Sequence, residues 1–101
     1  VMTVLLTPGT TAAPSAQKFT PGPGRCSLYI TPAVGVPETT GSNTMFIERE
    51  RADGSWQRVL VLTGEGNGDG VVFLGDGTFR GNRPAQGMAT GLDIEGDFTL
   101  S

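Results

Sequence analysis

The chain has no histidine, a single cysteine and a single lysine among its 101 residues. The missing histidine removes the commonest general base and the commonest metal ligand, and with them every catalytic triad built on an imidazole. Cys26 alone can form neither an intrachain disulfide nor a cysteine-based zinc site. One lysine, scattered arginines and a net charge of −3 do not make the basic patch of a nucleic-acid-binding module. The composition therefore points away from catalysis and from nucleic acid, and we expect no cofactor.

Long hydrophobic runs are also missing, since no apolar segment approaches the roughly 18 residues of a membrane span. The N-terminal segment Val1–Thr7 lacks the basic residues that precede the apolar run of a signal peptide. We expect a protein that is made in a cytoplasm and fitted into an assembly there, without contact with a membrane.

Glycine and proline, by contrast, are abundant. Sixteen glycines and seven prolines interrupt the chain so often that its longest stretch without either is Ser42–Asp53. Inside a helix these residues cost about 1 and about 3 kcal/mol each, which excludes a helical bundle. A hydrophobic content of 37% is too high for a disordered chain of low net charge. We predict one all-β domain, an antiparallel β-sandwich or small barrel of about seven short strands.

The Pro/Gly-rich segment near the N-terminus divides the chain into two parts. Residues 1–24 are predicted to form a first strand and an extended arm, and residues 25–101 the β-sandwich. The arm is either a mobile loop or a segment that lies on a neighbouring subunit, with Phe19 as its contact. In the alternating strand Arg25–Thr31, Cys26 is on the apolar face and is predicted to be buried.

The later strands are less regular. Val71–Leu74 is a short apolar strand, and Thr78–Arg80 follows a Gly-rich turn. Met88–Leu92 and Ile94–Leu100 are predicted as two further strands, the second with a bulge at Gly96-Asp97.

A β-hairpin is predicted over Thr44–Thr63. A two-residue turn would place Arg49 opposite Arg58, and like charges facing each other are destabilising. A three-residue loop with Gly54 in the left-handed region places Glu48 opposite Arg58 instead, so we predict that loop. A helix ending at Gly54 is the alternative, disfavoured because the segment has no apolar stripe of helical period.

Away from its turn the hairpin is apolar on both faces. The predicted register extends to pairs of Ile47 with Val59, Phe46 with Leu60 and Met45 with Val61. A sandwich strand usually buries one face and exposes the other, so an extra layer is expected on this hairpin. The residues predicted to contact another subunit are Phe19, Met45, Ile47, Val59, Val61 and Trp56. The opposite face of the hairpin, with Phe46, Leu60 and Leu62, is the alternative contact.

Four oxygen-bearing residues have the spacing of a calcium loop, namely Glu65, Asn67, Asp69 and Asp76. Their chemistry fits less well, because Glu replaces Asp at the first position and Asp replaces Glu at the last. No flanking helices are predicted either. A polar turn between strands is the preferred interpretation, and no metal is expected.

Carboxylate pairs for glycoside hydrolysis could be drawn from Glu48, Glu50, Asp93, Glu95 and Asp97. Glu48 and Glu50 each have a cross-strand partner in the predicted hairpin, so we do not expect an enzyme. Trp56 could stack on a sugar ring, but packing in the core or at an interface is the favoured interpretation.

Asn43–Val59 and Val71–Arg80, together with the start Thr3–Gly9, resemble small virion proteins of tailed bacteriophages. The shared pattern is a strand, an Asp-Gly turn, a Trp-x-x-Val strand, a Gly-rich loop, an apolar strand and an aromatic-Arg pair. The resemblance implies a β-sandwich of the capsid decoration (cement) or head-fibre type, often a trimer, with no catalytic residue.

We therefore expect a virion structural protein that binds the major capsid protein on the outer surface of the capsid and stabilises it. It would act as a homo-oligomer, with a trimer favoured by the resemblance. The alternative is a receptor- or carbohydrate-binding β-domain of a phage head or tail fibre.

Overall fold

The computed structural model describes residues 2–32, 42–65, 69–71 and 74–101, which form eight strands and no helix. Every pairing between these strands is antiparallel. The predicted all-β antiparallel fold is therefore confirmed, and the helical alternative for the hairpin is wrong. The strands are β1 (Thr3–Gly9), β2 (Ala13–Pro14), β3 (Phe19–Pro32), β4 (Ser42–Glu50), β5 (Trp56–Glu65), β6 (Asp69–Val71), β7 (Phe79–Arg83) and β8 (Thr90–Leu100).

The strands form one sheet in the order β1-β8-β3-β7-β4-β5, with β2 added to β7 and β6 to β3. The halves β1-β8-β3 and β7-β4-β5 are joined where Phe19 of β3 pairs with Phe79 of β7. Gly81 of β7 lies so close to Leu92 of β8 that a Cβ on Gly81 would overlap the leucine side chain. This approach across the interior shows that the two halves pack face to face, as in a β-sandwich.

The core lies between the two halves. Phe19 and Phe79 stack at its centre with their ring centroids 5.9 Å apart. Cys26 is buried in this core, as predicted. The buried hydrophobic side chains are Leu5, Phe19, Cys26, Leu28, Ile30, Met45, Ile47, Phe79, Leu92 and Ile94.

The segment predicted as an extended arm is hydrogen-bonded into the sheet. Ala13 and Pro14 pair with β7, and Lys18 exchanges backbone hydrogen bonds of 2.9 and 3.0 Å with Ser101. Phe19 begins β3 and is fully buried. It is therefore not available to a neighbouring subunit, which corrects the predicted role of this side chain. The reason is its position at the junction of the two halves, where its ring packs on Phe79.

The three-residue hairpin loop is confirmed. Gly54 has φ +86°, its N–H donates to the Arg51 carbonyl over 2.9 Å, and the Arg51 N–H donates to the Ser55 carbonyl over 2.7 Å. Glu48 lies opposite Arg58, as predicted.

Beyond that pair, a bulge at Val59 shifts the register by one residue, so the predicted pairs of the apolar part are wrong. Ile47 lies opposite Leu60, and Met45 opposite Leu62. The shift allows the three-residue turn and a buried apolar face in the same hairpin, because it places Leu60 and Leu62 of β5 on the core side.

The C-terminal segment is one long strand and not two, since β8 runs unbroken from Thr90 to Leu100. Gly96 has a φ of +111°, but the extra residues of the neighbouring register shift lie on β3, where residues 22–25 stand against Asp97 alone, so the bulge belongs to β3 and not to the last strand as predicted. Of the apolar strand predicted at 71–74, the structure includes Val71 in β6 and places Leu74 outside any strand. Residues 72 and 73 lie outside the described ranges.

Candidate binding surface

The outward-facing side of β7, β4 and β5, called the outer face below, carries a mixture of aromatic and charged side chains. Because alternate residues of a strand point to opposite sides, β4 buries Met45 and Ile47 and turns Phe46 and Glu48 outward. The residues of the outer face are Phe46, Glu48 and Glu50 of β4, Trp56, Arg58 and Val61 of β5, and Arg80 and Asn82 of β7.

Glu48 is at the centre of the outer face and is held by β7. Its Oε1 accepts a hydrogen bond from Arg80 Nε over 2.8 Å, and its Oε2 accepts one from Asn82 Nδ2 over 3.3 Å. The carboxylate side chain is only 11% exposed. Sequence reasoning had assigned Arg58 as its partner. Although Arg58 is the cross-strand neighbour of Glu48, the ion pair forms with Arg80 on the other side of β4.

Arg58 lies against an aromatic ring instead. Its guanidinium carbon is 3.4 Å from the centroid of the Phe46 ring, and the residue is exposed. Phe46 is the cross-strand neighbour of Val61, so the arginine reaches diagonally along the outer face. A guanidinium stacked on a ring keeps its in-plane N–H donors directed outward.

Trp56 is half-buried, with two cations near its ring. Arg80 Cζ is 4.3 Å and Lys18 Nζ 5.9 Å from the ring centroid. Lys18 also forms a 3.0 Å ion pair with Glu50. A sugar ring would have to displace or share these contacts to stack on the indole, which argues against the carbohydrate-binding alternative.

The residues predicted to contact another subunit fall into two groups. Met45 and Ile47 are fully buried in the chain's own core together with Phe19, so they are removed from the predicted interface. The β5 bulge is the reason that they separate from the two valines, because it places Leu60 and Leu62 on the core side opposite Ile47 and Met45. Val59 and Val61 are each 44% exposed, and Trp56 is partly exposed, so these three remain accessible.

Arg58, Arg80 and Lys18 were not predicted as parts of this surface, whereas Phe46 was predicted only on the alternative contact face, together with Leu60 and Leu62. The alternation within β4 indicates that Phe46 shares a face with Glu48. The contact with Arg80 depends on β7, some 30 positions away in sequence, and no local pattern reveals it.

The predicted calcium loop is largely outside the described structure. Asn67 is not described, nor are the side chains of Glu65 and Asp69. Asp76 is exposed, and its backbone carbonyl accepts a 3.0 Å hydrogen bond from Arg49 Nε. Within the described ranges, no three acidic or cysteine side chains are grouped so that they could hold a metal ion.

The structure does not bring the candidate carboxylates for glycoside hydrolysis together. Glu48 and Glu50 lie on the outer face of β4, where each is bound by a cation. Asp93 and Glu95 alternate with the buried Leu92 and Ile94 of β8, so they point outward from the opposite half of the fold. Asp97, opposite the β3 bulge, accepts a 2.8 Å hydrogen bond from the Gly24 N–H.

A cavity of about 360 Å³ lies beside the β3 bulge, where Pro21, Gly22, Pro23 and Gly24 face Leu74, Gly75 and Asp76. Cys26 lines it as well. Burial, and then the nearby negative charge of Asp97, raise the pKa of the Cys26 thiol. The thiol therefore stays protonated at neutral pH, which is unfavourable for a nucleophile.

Comparisons of the chain with protein-family models, with curated proteins and with solved structures returned no match. None of the described segments is a helix long and apolar enough to cross a membrane.

Proposed function

We propose that this protein is a non-catalytic virion structural protein of the capsid decoration type, which binds the major capsid protein through its sheet edges and outer face. One observation carries the proposal. Large hydrophobic side chains that the described structure leaves exposed occur as two pairs, Met2 with Val4 and Val59 with Val61.

Each pair belongs to an edge of the sheet. Val4 is in β1, which pairs with β8 alone, and Val59 and Val61 are in β5, which pairs with β4 alone in the described part of the chain. The two members of each pair are two residues apart. An exposed apolar edge strand offers both hydrophobic area and free backbone hydrogen-bonding groups to another chain. Burying a valine fully contributes about 1.5–3 kcal/mol.

The resemblance to small tailed-phage virion proteins supports the choice of a capsid as the partner and of a trimer as the oligomer. The acidic charge and the mixed, largely self-paired character of the outer face also favour a protein partner over a nucleic acid.

The test uses purified capsids of the phage that encodes the chain, stripped of accessory proteins. The native protein should cosediment with these capsids and raise their melting temperature. Val61→Lys should abolish both effects, because an unpaired charge buried in a contact costs several kcal/mol and the neighbouring Arg58 cannot neutralise it. Ala85→Lys adds the same charge to an exposed residue outside the outer face and should leave binding intact.

Both variants must retain the β circular dichroism of the native protein, so that loss of binding is not loss of folding. Absence of cosedimentation for the native protein, or full binding by a folded Val61→Lys variant, would contradict the proposal.

A further inference from the structure

The charges of the outer face do not cancel. Glu48 is neutralised by Arg80, and Glu50 by Lys18. Arg58 is the remaining cation, and no hydrogen-bond acceptor for it is found among the described residues. The surface therefore has one unmatched positive charge on a protein whose net charge is −3.

Arg58 differs in this from the other arginines whose side chains the structure describes. Arg83 donates to three backbone carbonyls and Arg49 to one, while Arg25 and Arg51 each contact a serine hydroxyl over 3.4 Å. Arg58 instead has its guanidinium face on the Phe46 ring, so its orientation is fixed by an aromatic contact that uses none of its N–H donors.

The chemistry that fits such a group is a carboxylate. A planar guanidinium binds the two oxygens of a carboxylate through parallel hydrogen bonds, and stacking on a ring restricts the guanidinium before the ligand arrives. Val61, opposite Phe46 on the neighbouring strand, offers apolar contact beside the charge. The arrangement suits an acidic side chain flanked by aliphatic ones. A nucleic-acid backbone would instead require several unpaired cations.

We propose that Arg58, stacked on Phe46 and next to Val61, is the docking point for a carboxylate presented between aliphatic side chains by the partner protein. This inference rests on the proposed function, because it names the chemistry that the partner must offer to the same surface.

Three probes are used. Two are the matched peptides Ac-Ser-Val-Glu-Val-Ser-NH2 and Ac-Ser-Val-Gln-Val-Ser-NH2, and the third is inorganic phosphate. Binding is followed by the NMR shift of the Arg58 Nε–Hε group and by the fluorescence of Trp56, the only tryptophan and a neighbour on the same face. The glutamate peptide should bind at least about tenfold more tightly than the glutamine peptide, as expected for a charge-assisted bidentate pair.

Arg58→Gln should remove that preference, and Arg58→Lys should retain only part of it, since lysine keeps the charge but loses the fork of donors. Arg51→Gln is the matched control, because Arg51 is an exposed arginine at the hairpin turn. It should leave the preference unchanged.

Equal binding of the two peptides, no binding of either, or a preference that survives Arg58→Gln would overturn the inference. So would phosphate that shifts Arg58 as strongly as the glutamate peptide does, because the site would then be a general anion site. Capsid binding separates this failure from failure of the proposed function. If the native protein binds capsids and Arg58→Gln binds them equally well, only the carboxylate assignment is wrong.

Discussion

Asp93 lies in an unfavourable environment for a charged group. On the outward side of β8 its cross-strand neighbours are Val4 of β1 and Tyr29 of β3, and the carboxyl group is partly buried. This burial raises the pKa of Asp93. The folded protein therefore holds the proton more tightly than the unfolded chain does, and stability from this residue is fully present only below its unfolded pKa, near 4. It is lost as the pH rises through the raised folded value.

We expect Asp93→Asn to raise the melting temperature at pH 7, well above the ordinary pKa of an aspartate, and to have no such effect at pH 3. Asp53→Asn is the control, and its effect on stability should have the opposite pH dependence. Hydrogen bonds from Ser55 lower the pKa of Asp53, so its stabilising effect is present at neutral pH and fades on acidification. Thermal unfolding between pH 3 and pH 7 measures both. A loss of stability at pH 7 in Asp93→Asn would contradict the burial argument.

At the scale of residues, local sequence patterns predicted whether a side chain is buried better than they predicted which residue it contacts. Alternation within a strand was sufficient to predict that Cys26 is buried, because its apolar neighbours lie two residues apart. The partner of Glu48 was assigned to the hairpin, the only neighbouring strand that the sequence made visible. The real partner, Arg80, comes from β7 on the other side of β4, and that adjacency is a property of the whole sheet.

At the scale of elements, the β4–β5 hairpin combines two requirements that conflict. The turn fixes Glu50 opposite Trp56, which in an unbroken ladder would place Leu60 on the outer face. The bulge at Val59 resolves the conflict, since the pairs beyond it return Leu60 to the core side. The turn was predictable from Asp-Gly and the charges, whereas the bulge depends on what lies beneath the strand.

Gly54→Ala should destabilise the protein by about 1–2 kcal/mol, because Gly54 has φ +86° and a side chain is strained in that region. No atom lies within 4 Å of the position a Cβ would occupy there, so the cost is one of backbone conformation and not of collision. Gly87 has an equally open surrounding without a positive φ, and Gly87→Ala is the matched control. It should be neutral or slightly stabilising, because alanine restricts the unfolded chain.

Urea unfolding of both variants gives the comparison. Equal effects at the two positions would show that the left-handed conformation of Gly54 is not the source of the loss.

At the scale of the whole molecule, long-range contacts hold the N-terminal segment. The composition of residues 8–24 indicated an arm without a core of its own, yet the fold incorporates it through β2, Phe19 and the side chain of Arg83. Arg83 is buried and donates to the carbonyls of Thr7, Thr11 and Thr90 over 2.7–2.8 Å. Gly9 makes room for it, because a Cβ there would lie 2.8 Å from Arg83 Nη2. Pro and Gly mark a segment that cannot fold alone, but they do not reveal whether a distant side chain binds it.

Arg83→Met should therefore destabilise the whole protein and loosen β1 in particular. The buried Thr90 carbonyl would lose its donor, which costs about 1–3 kcal/mol, and the partly buried contacts with the Thr7 and Thr11 carbonyls would be lost as well. Arg83→Lys keeps the charge, but a single ammonium group does not reproduce the planar fork that reaches carbonyls of three separate segments, so it should rescue only in part. Arg51→Met, at an exposed arginine of the hairpin turn, should be nearly neutral.

Urea unfolding measures the loss of stability. Amide exchange should show Leu5 and Leu6 exchanging faster in Arg83→Met, while the amides of the β4–β5 hairpin change less. If protection falls equally in β1 and the hairpin, Arg83 supports the fold as a whole and is not a specific clamp on the N-terminal segment. If the stability of Arg83→Met equals that of Arg51→Met, the three carbonyls are satisfied without the guanidinium.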